Sequence, residues 1–237
     1  MHNRLIMLVI AVAALCPRVF GETETIQPQG VYATIDTASS MQAIDALRDG
    51  TAEQRANAAS DVIAHPDRYC PAVFFSLAAA LFDDGKTGDA IFWLYAGRIR
   101  TQFDIRRCTD ETVAGGYDDL NGSVPDLLRL IQFEDPEGTA KIVEKALEWD
   151  RRTPYNYDPR WIALHGMGAV MSATAQQQKE APLTVPEKGW PALAEKNRRE
   201  YRDAFREDMA GITPEQLRQV REQIQAMKKG SAAAKKQ

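Results

Sequence analysis

The chain has 237 residues, and its 29 Lys and Arg against 33 Asp and Glu give a net charge of −4. That length supplies one sizeable core or two small ones. The acidic balance argues against a nucleic-acid binder, which needs a clustered basic surface.

The first residues open with Arg4, run apolar from Leu5 to Cys16, break at Pro17, and place Val19 and Gly21 at the spacing read by a signal peptidase. This is the pattern of a secretory signal over 1–21. The apolar run is too short for a finished membrane span, which takes about 20 residues. Export to the periplasm or the medium, with cleavage near Gly21, is therefore expected, a retained anchor being the alternative. Cys16 would serve a lipoprotein, but Leu15 before it is bulky. No later run is long and apolar enough to span a membrane. Residues 22–37 read as an extended lead-in.

Strand signals are scarce beyond it, and stretches rich in Ala, Leu, Gln, Glu, Lys and Arg are punctuated by Pro and Gly. The first helix is expected around Ser39 to Arg48, with Met41, Ile44 and Leu47 on one face. The second covers Ala52 to Ala64, grouping Ala56, Ala59 and Ile63, and stops before Pro66. The third covers Pro71 to Phe82, its proline at a position that tolerates a missing N–H. The fourth covers Asp89 to about Phe103. Its Ala90 to Ala96 are apolar or aromatic without interruption, so this helix must be enclosed. Ala90, Leu94 and Gly97 are assigned to a seam against the third helix, Phe92, Tyr95 and Ile99 to another neighbour, and Trp93 with Ala96 to one more. Arg98 and Arg100 are expected to return the helix to water.

Further helices are expected over Leu127 to Phe133, Thr139 to Trp149, Arg160 to Gln176, Trp190 to Met209 and Pro214 to Lys229. The last is introduced by the capping box Thr213-Pro-Glu-Gln216. Short connections imply antiparallel neighbours, so the fold class is all-α, a stack of antiparallel helical hairpins. A hairpin domain is expected over 38–180, C-terminal helices over 187–229, and a disordered tail over 230–237. From Glu187 onward 12 basic face 8 acidic residues, which leaves 15 basic and 25 acidic between Glu22 and Pro186. The body is strongly acidic.

The stretch Leu77-Ala78 … Gly85 … Ala90-x-x-Trp93-Leu94-x-Ala96-Gly97 resembles a tetratricopeptide or Sel1-like repeat. Leu77-Ala78 matches the family's large–small pair, Gly85 its turn, Ala90 the packed alanine of its second helix, and Leu94 with Gly97 the pair that follows. The likeness covers about one hairpin, residues 71–103. Upstream, Ala46-Leu-Arg-Asp-Gly50 precedes Ala80-Leu-Phe-Asp-Asp-Gly85 by 34 to 35 residues, near the period of such arrays. The resemblance implies a scaffold that binds proteins and has no catalytic activity of its own. Some exported relatives act as immunity proteins that block toxic effector enzymes. An acidic body suits a basic effector surface, and an envelope-assembly adaptor is the other role implied.

In an oxidising compartment the two cysteines left after cleavage, Cys70 and Cys108, tend to pair. They flank the third and fourth helices, so a disulfide would clamp the open end of that hairpin. Two buried free thiols are the alternative.

No nucleophile elbow, zinc-binding His-Glu-x-x-His, phosphate loop or Cys-x-x-Cys occurs. No cofactor or metal is expected, and the acid pairs Asp83-Asp84 and Asp118-Asp119 read as solvated turns. His65, in His-Pro-Asp at a helix end, reads as structural. One constellation stands out, the stretch from Trp149 to Met167. Its prolines and Asn-Tyr-Asp-Pro turn define a loop, and Asp158 is placed to cap the helix that starts near Pro159. Tyr155, Tyr157, Asp158, Arg160, Trp161 and His165 are the partner-binding candidates, being of the types that anchor protein contacts. The same residues would also suit an aromatic loop packed on the body, or a site with His165 as general base beside Asp158.

Overall fold

A computed structural model describes residues 27–174 and 181–234, so the expected signal over 1–21 lies outside the described residues. Within them the chain is all-α. Its only β pairing there is an isolated antiparallel bridge between Cys108 and Thr184.

Helices α1 (Ala38–Asp49) and α2 (Ala52–Ala64) form the first antiparallel pair. Gly50 and Thr51 turn the chain, and Thr51 caps α2 by exchanging hydrogen bonds with Gln54 (2.8 and 3.3 Å). Inward, α1 presents Leu47 as expected, but Ser40 and Ala43 in place of Met41 and Ile44, and Met41 stays exposed. The close approach of the next helix explains the shift: Ser40 Oγ accepts from the Cys70 N–H at 3.0 Å, which only a small polar residue allows. On α2 it is Val62 that is buried, and Ile63 faces out.

Helix α3 (Ala72–Asp83) and helix α4 (Thr87–Arg107) make the central hairpin. Gly85 takes φ +78° at the turn, where the Lys86 N–H reaches Leu81 O at 2.8 Å. A Cβ carried there would be strained, so glycine is the fitting residue. Helix α4 is enclosed as expected, with Ala90, Leu94, Tyr95, Ala96 and Ile99 fully buried. Its Gly97 lies directly against Phe74 and Phe75 of α3.

Beyond the hairpin come α5 (Gly115–Ser123), α6 (Asp126–Ile131) and α7 (Pro136–Arg152), the last capped by Asp135, which accepts from Gly138 N–H at 2.9 Å. Helix α5 escapes a reading by propensity because its sequence, Gly-Gly-Tyr-Asp-Asp-Leu-Asn-Gly-Ser, is made, Leu120 apart, of weak helix formers. The helix expected from Arg160 to Gln176 is broken at Gly166 into a 3-10 turn, Pro159–His165, and helix α8 (Met167–Thr174). Two long helices finish the chain, α9 (Trp190–Ala210) and α10 (Pro214–Ala234). Thr213 and Gln216 form the expected capping box, and α10 runs on through Gly230, where a tail had been expected to begin.

Helix α4 is the axis of this arrangement. It touches α3 on one side, α7 on a second and α9 on a third. Phe92 and Trp93 turn towards Trp149 of α7, with ring centroids 5.9 and 5.4 Å apart. Tyr95 faces Tyr201 and Phe205 of α9. The grouping expected for Phe92 with Tyr95 is therefore split between two neighbours.

The disulfide expected between Cys70 and Cys108 is not formed. Both are buried free thiols. The reason is length: α4 has 21 residues and α3 only 12. With Gly97 level with Phe74 and Phe75, Cys70 lies level with Thr101 and Gln102, and Cys108 stands about 10 Å further along at 1.5 Å per residue. A disulfide needs Cα atoms within about 7 Å. Burial pushes the Cys70 thiol up to about 11 and raises Cys108 as well. Mass-spectrometric alkylation of unreduced protein should therefore leave both thiols unmodified in the native state and modify both after unfolding.

Candidate functional site

The loop from Thr153 to Gly166 sits where α4, α7 and α9 converge, and buried charge holds it there. Arg100, Asp104 and Arg107 follow one face of α4 at spacings of four and three. All three are at most 1% exposed. Asp150, at the end of α7, is as deeply buried and accepts from three donors: Arg100 Nε at 3.0 Å, Arg198 Nη1 at 2.8 Å and the Tyr155 hydroxyl at 2.9 Å. The remaining guanidinium nitrogens of Arg100 donate to the carbonyls of Thr153 (2.7 Å) and Pro154 (3.1 Å), where the loop leaves α7.

Aromatic rings fill the spaces between these cations. The Arg100 guanidinium lies 4.5 Å from the Trp149 ring centre and 4.4 Å from that of Tyr155. The Arg107 guanidinium lies 4.6 Å from both Phe103 and Trp190. Guanidinium groups are weakly hydrated and stack on ring faces, which lowers the cost of burying them. The sequence thus builds a ladder of alternating cations and rings across α7, α4, the loop and the start of α9.

Asp104 pins the second half of the loop. It accepts from the Tyr157 hydroxyl at 3.0 Å and from Trp161 Nε1 at 2.5 Å. Arg107 approaches it at 2.6 Å, close but poorly aligned for a hydrogen bond. Burial pushes the Asp104 carboxyl above its usual range, against the pull of Arg107, Trp161 and Tyr157.

The six candidate residues fall into two groups. Tyr157 and Trp161 are buried, at 7% and 2% exposure, and act from inside as anchors. Tyr155 is half-buried between Arg100 and Phe103. Asp158 caps the 3-10 turn as expected, accepting from Arg160 N–H at 2.9 Å, and also pairs with the Arg160 guanidinium at 2.6 Å. These two tie down the lead-in segment, Arg160 through Thr34 O at 3.0 Å and Asp158 through the Asp36 N–H at 3.1 Å. Asn156 binds Asp67 through backbone and side chain, both at 2.8 Å.

His165 is exposed at the far end of the turn, its ring edge-on to Trp161 at 5.6 Å and its Cβ packed against Gly116. That crowding desolvates the ring and holds its pKa below the usual value, with Asp119 pulling the other way. Asp158 is occupied by Arg160 and the backbone of Asp36, so the loop does not bring it to His165 as an orienting carboxylate. The start of α8, Gly166-Met-Gly168, is closed by the chain itself: Gly168 N–H reaches Asp110 at 2.9 Å and Met167 N–H reaches Thr112 Oγ1 at 2.8 Å. Among the described residues no group of three metal-ligating side chains is assembled, and no helix is long and apolar enough to cross a membrane.

No family model, curated protein or solved structure matches this chain.

The residues missed in the sequence are the buried charges Arg100, Asp104, Arg107, Asp150 and Arg198. For the three on α4 the signal was the Arg100-x-x-x-Asp104-x-x-Arg107 spacing, which keeps three charges on one helical face beside Ile99 and Phe103.

Around this core the ion pairs are exposed. Glu195 of α9 binds Arg151 (2.9 Å) and Arg198 (3.2 Å), and these hydrogen bonds, Arg151 first, hold its carboxyl down at about 2. The folded value lies below the unfolded one of about 4.3. Its contribution is therefore complete above that pH and is lost as pH falls towards 2. The urea midpoint should drop between pH 6 and pH 3, and Glu195→Gln should make that drop shallower.

Proposed function

We propose that the chain is an exported, periplasmic protein-binding module without catalytic activity, and that its recognition surface is the rim of the loop 153–168. One observation carries this reading: the rim is anchored from beneath at several points. Asp104, Asp150, Asp67 and Thr34 fix the loop, while Asn156, His165 and Met167 are exposed and Tyr155, Asp158 and Arg160 are partly so. A surface already ordered before binding loses little conformational entropy on association. Aromatic, Arg and Met side chains are the types enriched at such contacts.

The partner proposed is a protein with a basic face, an immunity-type target such as a secreted effector enzyme. The acidic stretch from Glu22 to Pro186 would steer it. The tight α3–α4 hairpin, with Gly85 at its turn and Gly97 at its seam, supports a tetratricopeptide-like or Sel1-like origin for the scaffold.

Affinity capture from periplasmic extract tests the proposal. A stoichiometric partner should be retained by the native chain and lost on His165→Ala with Met167→Ser, with thermal unfolding unchanged. Retention of the partner by that variant would overturn the assignment of the rim. A turnover activity abolished by His165→Ala alone would overturn the non-catalytic reading.

A further inference from the structure

The contacts of α9 with the body are of another kind from those inside it. Helix α4 buries a long, mainly apolar surface, whereas α9 buries only Ala194, Asn197, Arg198, Tyr201 and Phe205. Two of those five are polar: Asn197 donates to Ile99 O at 3.0 Å and Arg198 to Asp150. Besides these and the stacking of Trp190 on Arg107, α9 makes exposed or partly exposed ion pairs to other helices, sorted by sign along the helix. Its first half offers Glu195 to Arg151 (2.9 Å) and Glu200 to Arg106 (2.6 Å). Its second half offers Arg202 and Arg206 to Glu144 of α7, both at 2.9 Å.

The attachment of α10 is equally thin. Val220 and Ile224 join Phe133 in a small apolar cluster that is separate from the main core. Arg221 and Lys228 add contacts to Glu134. Interfaces between parts of a chain that are this polar open more readily than the core they cover.

We propose that α9–α10 is a salt-gated clasp over the groove between α4 and α7. Both helices lift from the body while the α3–α4 hairpin stays folded, and the release of α9 uncovers Tyr95, Ile99 and Asp150. The sorted charges fix where α9 lands when it closes. Because they are solvent-accessible, salt screens them, and the clasp loosens as ionic strength rises. The aromatic anchors Tyr201 and Phe205, both packed on Tyr95, and the buried Arg198–Asp150 pair resist opening but carry little of the salt dependence. This inference does not rest on the binding role proposed for the loop.

Hydrogen exchange of the full chain, read by mass spectrometry, tests it at low salt and at about 1 M, where the Debye length is about 3 Å. Amides of α9 and α10 should exchange about tenfold faster at high salt, and those of α3 and α4 should not change. Glu144→Lys should reproduce the acceleration at low salt, and adding Arg202→Glu with Arg206→Glu should restore protection. Exchange of α9 in step with α3 and α4 at both salt concentrations would overturn the proposal, as would an α9 indifferent to Glu144→Lys. The salt comparison on the native chain decides the matter on its own should a charge variant fail to fold.

Discussion

Replacing Asp150 by Ala lowers stability by about 3–5 kcal/mol, the range for breaking a buried ion pair from one side. The loss comes less from the bonds removed than from what they leave behind. Asp150 neutralises Arg100, which is fully buried, and Arg198, which is 6% exposed. Without it the Arg100 guanidinium stays in the interior with no carboxylate, Arg198 keeps only Glu195 at the surface, and the Tyr155 hydroxyl loses its acceptor. The Trp149 and Tyr155 rings stacked on Arg100 soften that penalty but cannot supply a countercharge. Asp150→Asn, which keeps the shape and removes the charge, should fall between the two proteins. Urea denaturation followed by circular dichroism measures both. The combined change Arg100→Met, Asp150→Leu and Arg198→Met should recover much of the loss, because a packed apolar triad often equals or exceeds a buried ionic one. If Asp150→Ala unfolded at the native urea midpoint, the ladder would be an ornament rather than a support.

The enclosed character of α4 was legible because it needs only composition. Seven consecutive apolar or aromatic residues have no face for water, whatever the neighbours are. The capping box at Thr213 and the proline stop before Pro66 are local chemistry of the same sort. What stayed hidden depends on partners far away in the chain. Arg100 reads as a helix returning to solvent, because the carboxylate that neutralises it lies 50 residues on. The sulfur pairing failed for a related reason: it required the lengths of two helices, and α4 continued to Arg107 through Arg-Arg, which fit the helix's C-terminal end by charge. In the loop, residue types that commonly anchor partners serve in part as anchors of the fold. Tyr157 and Trp161 are turned inward by Asp104, which the chain places more than 50 residues before them.

Gly97 shows how the seam between α3 and α4 can be read energetically. Glycine in a helix interior is ordinarily about 1 kcal/mol worse than alanine, so Gly→Ala stabilises where space allows. Gly88 and Gly122 are such places, with nothing within 4 Å of the position a Cβ would take. At Gly97 the same Cβ would come 2.9 Å from Cε2 and 3.1 Å from Cδ2 of Phe75, and 3.3 Å from Cβ of Phe74. Both rings are buried among close-packed neighbours, Phe74 against Trp93 and Trp149 at 5.1 and 5.8 Å. Neither can move without moving the core. Gly97→Ala should therefore destabilise, and Gly97→Val should cost about 1–3 kcal/mol or more, as overpacking does. Gly88→Ala and Gly122→Ala should shift the urea midpoint up, by an amount worth about 0.4–1 kcal/mol. The opposite signs are the measurement. A Gly97→Ala protein more stable than the native one would mean that the two helices do not meet here as closely as the hairpin requires.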